Sequence, residues 1–241
     1  MKKITLSLLI AVSCFANTNN DDFSEFDKSD TEIFDPLSGY NRYMTNFNDY
    51  FYTNILIPTA KGYAYVIPED GRIAIDNVFD NIMFPVRFVN NLLQLKFQNS
   101  LEETERFVVN SLWGLGGILD SATKELNIKE HKEDFGQTLG FYGVGEGFPI
   151  VLPFLGPSNL RDFVSIVPDS YVSALSSSGQ NDLNYKVPDN LVQSISIKTF
   201  DVVNKTSLNP NQYETIKKDA LDLYPFLRDV YSQARKKQIE E

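Results

Sequence analysis

The sequence predicts a mainly α-helical body in a single domain, on three observations. Apolar residues recur at helical spacing in several separate stretches, and proline and glycine punctuate those stretches. Almost nothing alternates with the period of two that a half-buried strand needs, apart from short pieces near Ile195.

From Pro36, residues Tyr40, Met44, Phe47, Phe51 and Ile55 mark one face of a first helix that Pro58 is expected to stop. A second helix is expected over Glu69 to Ile82, with Ile73, Val78 and Ile82 inward. Pro85 opens a third as a first-turn proline, with Val86, Val89, Leu92 and Leu93 as its apolar residues. Ser100 and Glu103 have the spacing of a capping box ahead of a helix to about Trp113, which Gly114-Leu115-Gly116-Gly117 then end. Near the C-terminus, Ile216, Ala220, Leu223, Leu227, Val230 and Ala234 form the cleanest stripe, which Pro225 should kink or restart.

One segment breaks this pattern. Residues 140–157 read GFYGVGEGFPIVLPFLGP, apolar and aromatic, yet too rich in glycine and proline for a regular helix. It reads either as a mobile or irregular apolar hairpin or as a loop packed in the core; in both cases protein or lipid must cover it.

The N-terminus reads as a secretory signal over residues 1–16: Lys2 and Lys3, a mostly apolar stretch from Ile4 to Val12, then small residues. It is too short to span a bilayer. Two processing routes are open. Ala11-Val12-Ser13-Cys14 is similar to a lipoprotein processing site that would leave Cys14 as a diacylated N-terminus, although Ala11 stands where leucine is usual. Cleavage after Ala16 would instead remove Cys14. Residues 17–34 read as an acidic, flexible tether, 35–236 as the helical domain and 237–241 as a polar tail.

The formal net charge of −10 argues against nucleic acid as a partner, and against recruitment to anionic membranes by general charge, so membrane contact should be apolar. With one cysteine, no intramolecular disulfide is possible. His131, the sole histidine, lies in the charged run Glu130-His131-Lys132-Glu133-Asp134, which reads as a solvated loop. A zinc site would need more histidine or cysteine. The spacing of an EF-hand is absent, as is a G-x-S-x-G elbow, and the glycines at 114–117 follow a helix rather than a strand. No catalytic constellation stands out, and no cofactor or metal is expected.

The order of segments carries more. Asp35-Pro36-Leu37-Ser38-Gly39-Tyr40-Asn41-Arg42 and Asn46-Phe47-Asn48, then Pro58 to Tyr63 and Pro85 to Gln94, resemble the MlaA (VacJ) family of outer-membrane phospholipid-transport lipoproteins. The resemblance continues through Arg106-Phe107, Asn110-Ser111, Leu115-Gly116-Gly117 and Asp120. It is strongest at Glu133 to Gly140, Tyr142 to Gly145, Leu152-Pro153 and Gly156 to Ser158, ending at Leu160-Arg161-Asp162.

The resemblance implies a ring-like helical body in the inner leaflet of the outer membrane, at its periplasmic face. It implies an amphipathic channel that passes misplaced outer-leaflet phospholipids to a periplasmic lipid-shuttle protein, association with a trimeric outer-membrane porin, and no catalysis. Residues 140–157 match the hairpin that borders the channel. Gly140, Gly143, Gly145, Gly147 and Gly156 are thereby hinge candidates. Phe141, Tyr142, Val144, Phe148, Leu152 and Phe154 are candidate channel or lipid contacts, and Asn46 and Phe47 are gate neighbours. Cys14 is the expected lipid anchor. Arg161 and Asp162 match too and are expected to form a structural ion pair in preference to a headgroup contact.

Overall fold

The computed structural model describes residues 34–177 and 183–241. The signal segment, Cys14 and nearly all of the tether lie outside the described residues.

The body is helical. Helix α1 (Ser38–Phe51) runs through a π-helical turn, Tyr52–Leu56, into α2 (Ile57–Val66) without a break. Pro58 was expected to stop this helix and does not. A proline lacks the N–H for an i−4 bond and its ring crowds that carbonyl, and the wider π turn just ahead gives the room. Helices α3 (Glu69–Ile82), α4 (Phe84–Leu93, Pro85 in its first turn) and α5 (Phe97–Leu112) follow, then the short α6 (Ser121–Lys124) and α7 (Phe135–Phe141). Strands β1 (Pro149–Leu152) and β2 (Gly156–Asn159) pair antiparallel, Leu152 opposite Gly156. Helices α8 (Leu160–Val172), α9 (Leu191–Leu208), α10 (Gln212–Lys218) and α11 (Leu223–Glu240) complete the chain. Pro225 restarts the last helix, as the C-terminal stripe suggests, and α11 continues through residues 237–240. The alternation near Ile195 falls inside α9; the strands lie in the segment that showed no alternation.

Neighbour contacts close on themselves. Helix α2 packs on α9, α9 on α3, α3 on α4, α4 on α7, α7 on α11, and α11 returns to α1. The hairpin sits where this circuit closes, β1 against α1 and β2 against α11. Helix α8 packs on α7, α4 and both strands.

Among the described residues the interior is largely polar, and many large apolar side chains lie on the outside. The interior of α1 is Asn41, Thr45 and Asn48, that of α5 is Ser100, Glu103, Arg106 and Asn110, and that of α4 is Arg87, Asn90 and Asn91 together with one apolar residue, Val86. Of the residues expected inward on α3, Ile73 is exposed and Val78 and Ile82 are half-buried, and Tyr40, Ile55, Leu92 and Leu93 of the other apolar stripes are exposed as well. Among the described residues, large exposed apolar side chains outnumber buried ones, and the one buried apolar cluster is small: Leu152, Leu155 and Ile166 under the hairpin. A body of this size in water would bury its largest side chains and expose its amides. The inversion fits an apolar surround. No described helix is long and apolar enough to cross a membrane.

Two local expectations fail for the same reason. Ser100 and Glu103 do not cap α5, which begins at Phe97. Glu103 is fully buried, pairs with Arg87 at 2.6 Å and accepts from the backbone N–H of His131 at 2.6 Å. The run around His131 is likewise not a solvated loop. Glu133 is buried and holds Lys96 and Gln94 at 2.7 Å each, while His131 meets Glu102 at 2.7 Å. The charges are spent on fastening the chain.

Candidate lipid-facing site

The hairpin is gripped by α1 through side chains that imitate a strand. The Asn41 amide donates to the carbonyl of Pro149 at 3.0 Å, and its oxygen accepts from the N–H of Val151 at 2.8 Å. Asn48 repeats the pattern, donating to Leu152 at 2.8 Å and accepting from Phe154 at 2.7 Å. Tyr52 adds a hydroxyl donated to the carbonyl of Phe154 at 2.9 Å. The spacing explains the match: seven residues of helix rise about 10.5 Å, and three residues of strand about 10 Å. Thus β1 pairs with β2 along one edge and with asparagines along the other.

At the tip, Phe154 adopts a left-handed backbone (φ 65°), a conformation that costs a residue with a side chain about 1–2 kcal/mol. Its N–H and carbonyl are held by Asn48 and Tyr52, and its ring meets Phe47 and Phe51 edge-on, at 5.1 and 4.8 Å between centroids. The structure therefore brings Phe47 to the hairpin. Asn46 is exposed on α1, and the asparagines that touch the hairpin are Asn41 and Asn48.

The glycines divide into two groups. Gly143, Gly147 and Gly156 have positive φ (81°, 73° and 87°). Gly145 does not, and a Cβ there or at Gly143 would meet open space. Gly140 packs closely against α11: a Cβ would lie 2.5 Å from the Ile239 side chain, which would have to shift to admit it. Phe141, Tyr142 and Val144 are exposed, Phe148 is half-buried, and Leu152 is buried in the apolar cluster. Tyr142 also ties this strap to α4 by donating its hydroxyl to the Leu93 carbonyl at 2.6 Å.

Behind the hairpin lies a buried ion network. Asp162 accepts from Arg161 and Arg235, both at 2.9 Å, and from the Tyr231 hydroxyl at 2.7 Å. Arg235 also takes Asp134 in a two-pronged pair at 2.7 and 2.8 Å. Burial opposes ionisation of Asp162, but Arg235 and these donors outweigh it and hold its carboxyl below the usual range. Arg161–Asp162 is thus a structural pair. Asp169 has the opposite balance: burial, then the charge of Asp134, pushes it up to about 7 despite donations from the Phe135 N–H and Asn90. Asp134 and Gln137 form the true capping box, at the start of α7.

Sequence reading missed Asn41, Asn48, Asp134, Asp169 and Arg235. A signal was available. Asn41, Thr45, Asn48 and Tyr52 fall at helical spacing, as do Ser100, Glu103 and Asn110, so polar residues carry the period as clearly as apolar ones.

A mostly helical body with an apolar exterior, a polar interior and a clamped hairpin defines a class: a lipid-facing α protein that does not rely on a described spanning helix. The particular family follows from comparison. A family model described as MlaA lipoprotein matches residues 33–238, and the chain belongs to that family. An uncharacterized protein of Rickettsia bellii is 29% identical over 211 residues, covering 87% of this chain and 78% of the relative. The intermembrane phospholipid transport system lipoprotein MlaA of Haemophilus influenzae is 34% identical, covering 70% and 67%. That of Escherichia coli is 35% identical, covering 59% and 58%. A solved structure described as "Structural basis for maintenance of bacterial outer membrane lipid asymmetry" superposes with a TM-score of 0.70 at 26% identity, over 85% of this chain and 98% of the other.

Proposed function

We propose that this chain is a phospholipid-translocating component of the outer membrane that moves misplaced outer-leaflet phospholipids toward the periplasm without chemical change. The observation that carries this reading is the inverted body. Apolar side chains such as Trp113, Leu112, Leu95 and Phe97 face outward, while amides and ion pairs face inward. A lipid crossing a leaflet must keep its headgroup among polar groups and its tails among apolar ones, because an uncompensated charge in hydrocarbon is costly. A helical circuit with these two faces supplies both.

Helices lying in one leaflet through their outer faces account for membrane residence without a spanning segment. Acylated Cys14 would then deliver and retain the protein rather than form its working surface. A soluble periplasmic shuttle and a trimeric porin are the partners proposed for it. Native mass spectrometry of protein extracted from its own membranes tests the reading. It should show one or more phospholipids bound to the folded chain; protein that emerges lipid-free in gentle detergent would count against it.

A further inference from the structure

Helix α9 has a polar face at a spacing of four, three and four residues: Ser194, whose buried hydroxyl accepts from the Ser177 N–H at 2.8 Å and donates to the Asn190 carbonyl at 3.1 Å, then Lys198, Asp201 and Lys205. Over these twelve residues the helix rises about 16 Å. Lys205 pairs with Asp201 one turn back on α9 at 3.2 Å, and the face meets α3, where Lys205 lies 3.7 Å from Asp80 and 3.9 Å from Asp76. Lys132 adds a contact to Asp80 at 3.6 Å.

These charges are enclosed but not sealed. Burial, then Asp80, pushes the Asp76 carboxyl up to about 6, and burial, then Lys186, brings the Lys198 ammonium down to about 8. Yet Lys205, Asp76 and Asp80 keep 19%, 26% and 30% of their side-chain surface accessible.

Both ends have unmet hydrogen-bonding capacity. At the acidic end, one carboxylate oxygen each of Asp76 and Asp201 makes no hydrogen bond. At the other end, the hydroxyls of Ser170 and Ser176 are without partners in residues only 8% and 1% exposed. Lys186 stands between these serines, donating to the Ser170 carbonyl at 3.1 Å and the Ser176 carbonyl at 2.6 Å. The acidic end thus keeps two carboxylate oxygens without hydrogen bonds beside Lys205 and Lys132, and the other end combines positive charge with hydroxyls. Beyond Lys205 a cleft opens with Leu56, Ile57, Tyr213 and Ile216 in its walls, so the track ends against apolar surface.

Given the lipid-passage reading, on which this inference rests, we propose that the Lys198–Asp201–Lys205 face of α9 is the headgroup track of the passage. It takes zwitterionic headgroups that combine a phosphodiester with a primary ammonium. The phosphodiester faces Lys198, Lys186 and the serines, and the ammonium faces Asp201 and Asp76. Lys198 and Asp201 are one turn apart, a spacing that serves two opposite charges joined by a short linker.

The test uses the full chain in detergent, incubated with vesicles of equal parts phosphatidylethanolamine and phosphatidylglycerol, with retained lipid classes read by mass spectrometry. Wild type should be enriched in phosphatidylethanolamine. The double variant Asp76→Asn/Asp201→Asn should lower that ratio about threefold, the size expected for losing partly solvated ion pairs. Lys198→Gln should retain less of both lipids, and Lys236→Gln, at an exposed position on α11, should match wild type. Uptake without headgroup preference, or an unchanged ratio in a double variant with wild-type circular dichroism, overturns the track and leaves the passage reading standing. Wild type that takes up neither lipid overturns both.

Discussion

At the scale of single residues, a few polar side chains fix the hairpin and the junction behind it. Asn48→Leu removes both bonds to β1 and leaves the Leu152 carbonyl and the Phe154 N–H unpaired, a loss of about 2–4 kcal/mol that denaturant unfolding would register. Asn46→Leu, on the exposed side of the same helix, should change stability by less than about 0.5 kcal/mol. Asp162 and Asp169 act in opposite directions with pH. The carboxyl of Asp162 is depressed, so its contribution is present above the unfolded carboxylate range and is lost as pH falls through its lower folded value. Asp169 is raised to about 7, so the folded state binds the proton more tightly than the unfolded chain. Its term weakens folding as pH rises from about 4 to 7. Melting temperatures across that window should fall less with pH in Asp169→Asn than in wild type; an unchanged slope would show that Asp169 does not titrate there.

At the scale of elements, α1 and the hairpin are matched in register. Inserting one alanine between Asn41 and Asn48 turns the second asparagine about 100° around the helix. Hydrogen exchange over residues 149–155 should then accelerate while α4 and α5 stay protected. The glycine strap makes a second prediction. Gly145→Val faces open space at an ordinary φ and should fold normally, whereas Gly140→Val collides with Ile239 and should destabilise the α7–α11 contact. If the strap moves to pass lipid, Gly145→Val should slow lipid transfer at unchanged stability; a chain that only scaffolds partners should show no change in either. Much of this level was legible in the sequence. Pro85 opens α4, glycines end α5 and Pro225 restarts α11; of residues 140–157, which stand apart in the sequence, only 149–157 lie in the hairpin, and its second strand runs on to Asn159. The gripping of β1 by asparagines was not legible, because it depends on residues about a hundred positions apart.

At the scale of the whole molecule, apolar stripes divide between inside and outside: Val86, Leu227 and Val230 are buried, while Tyr40, Ile55, Ile73, Leu92 and Leu93 are exposed. Helical spacing identifies an apolar stripe but not what it faces, and a stripe that meets acyl chains has the same period as one that meets a core. Leu92 and Leu93 illustrate this, exposed on α4 while Asn90 and Asn91 are buried. The inversion explains why an acidic chain can reside at a membrane without charge attraction, and why its interior is filled with paired ions and amides. The most direct test is outer-leaflet phospholipid in cells lacking this gene, measured with a headgroup label that does not cross the outer membrane. Deletion should raise the labelled fraction, and wild-type chain, but not a chain with both Asn41 and Asn48 replaced by leucine, should restore it. A deletion strain with normal lipid asymmetry would contradict the account.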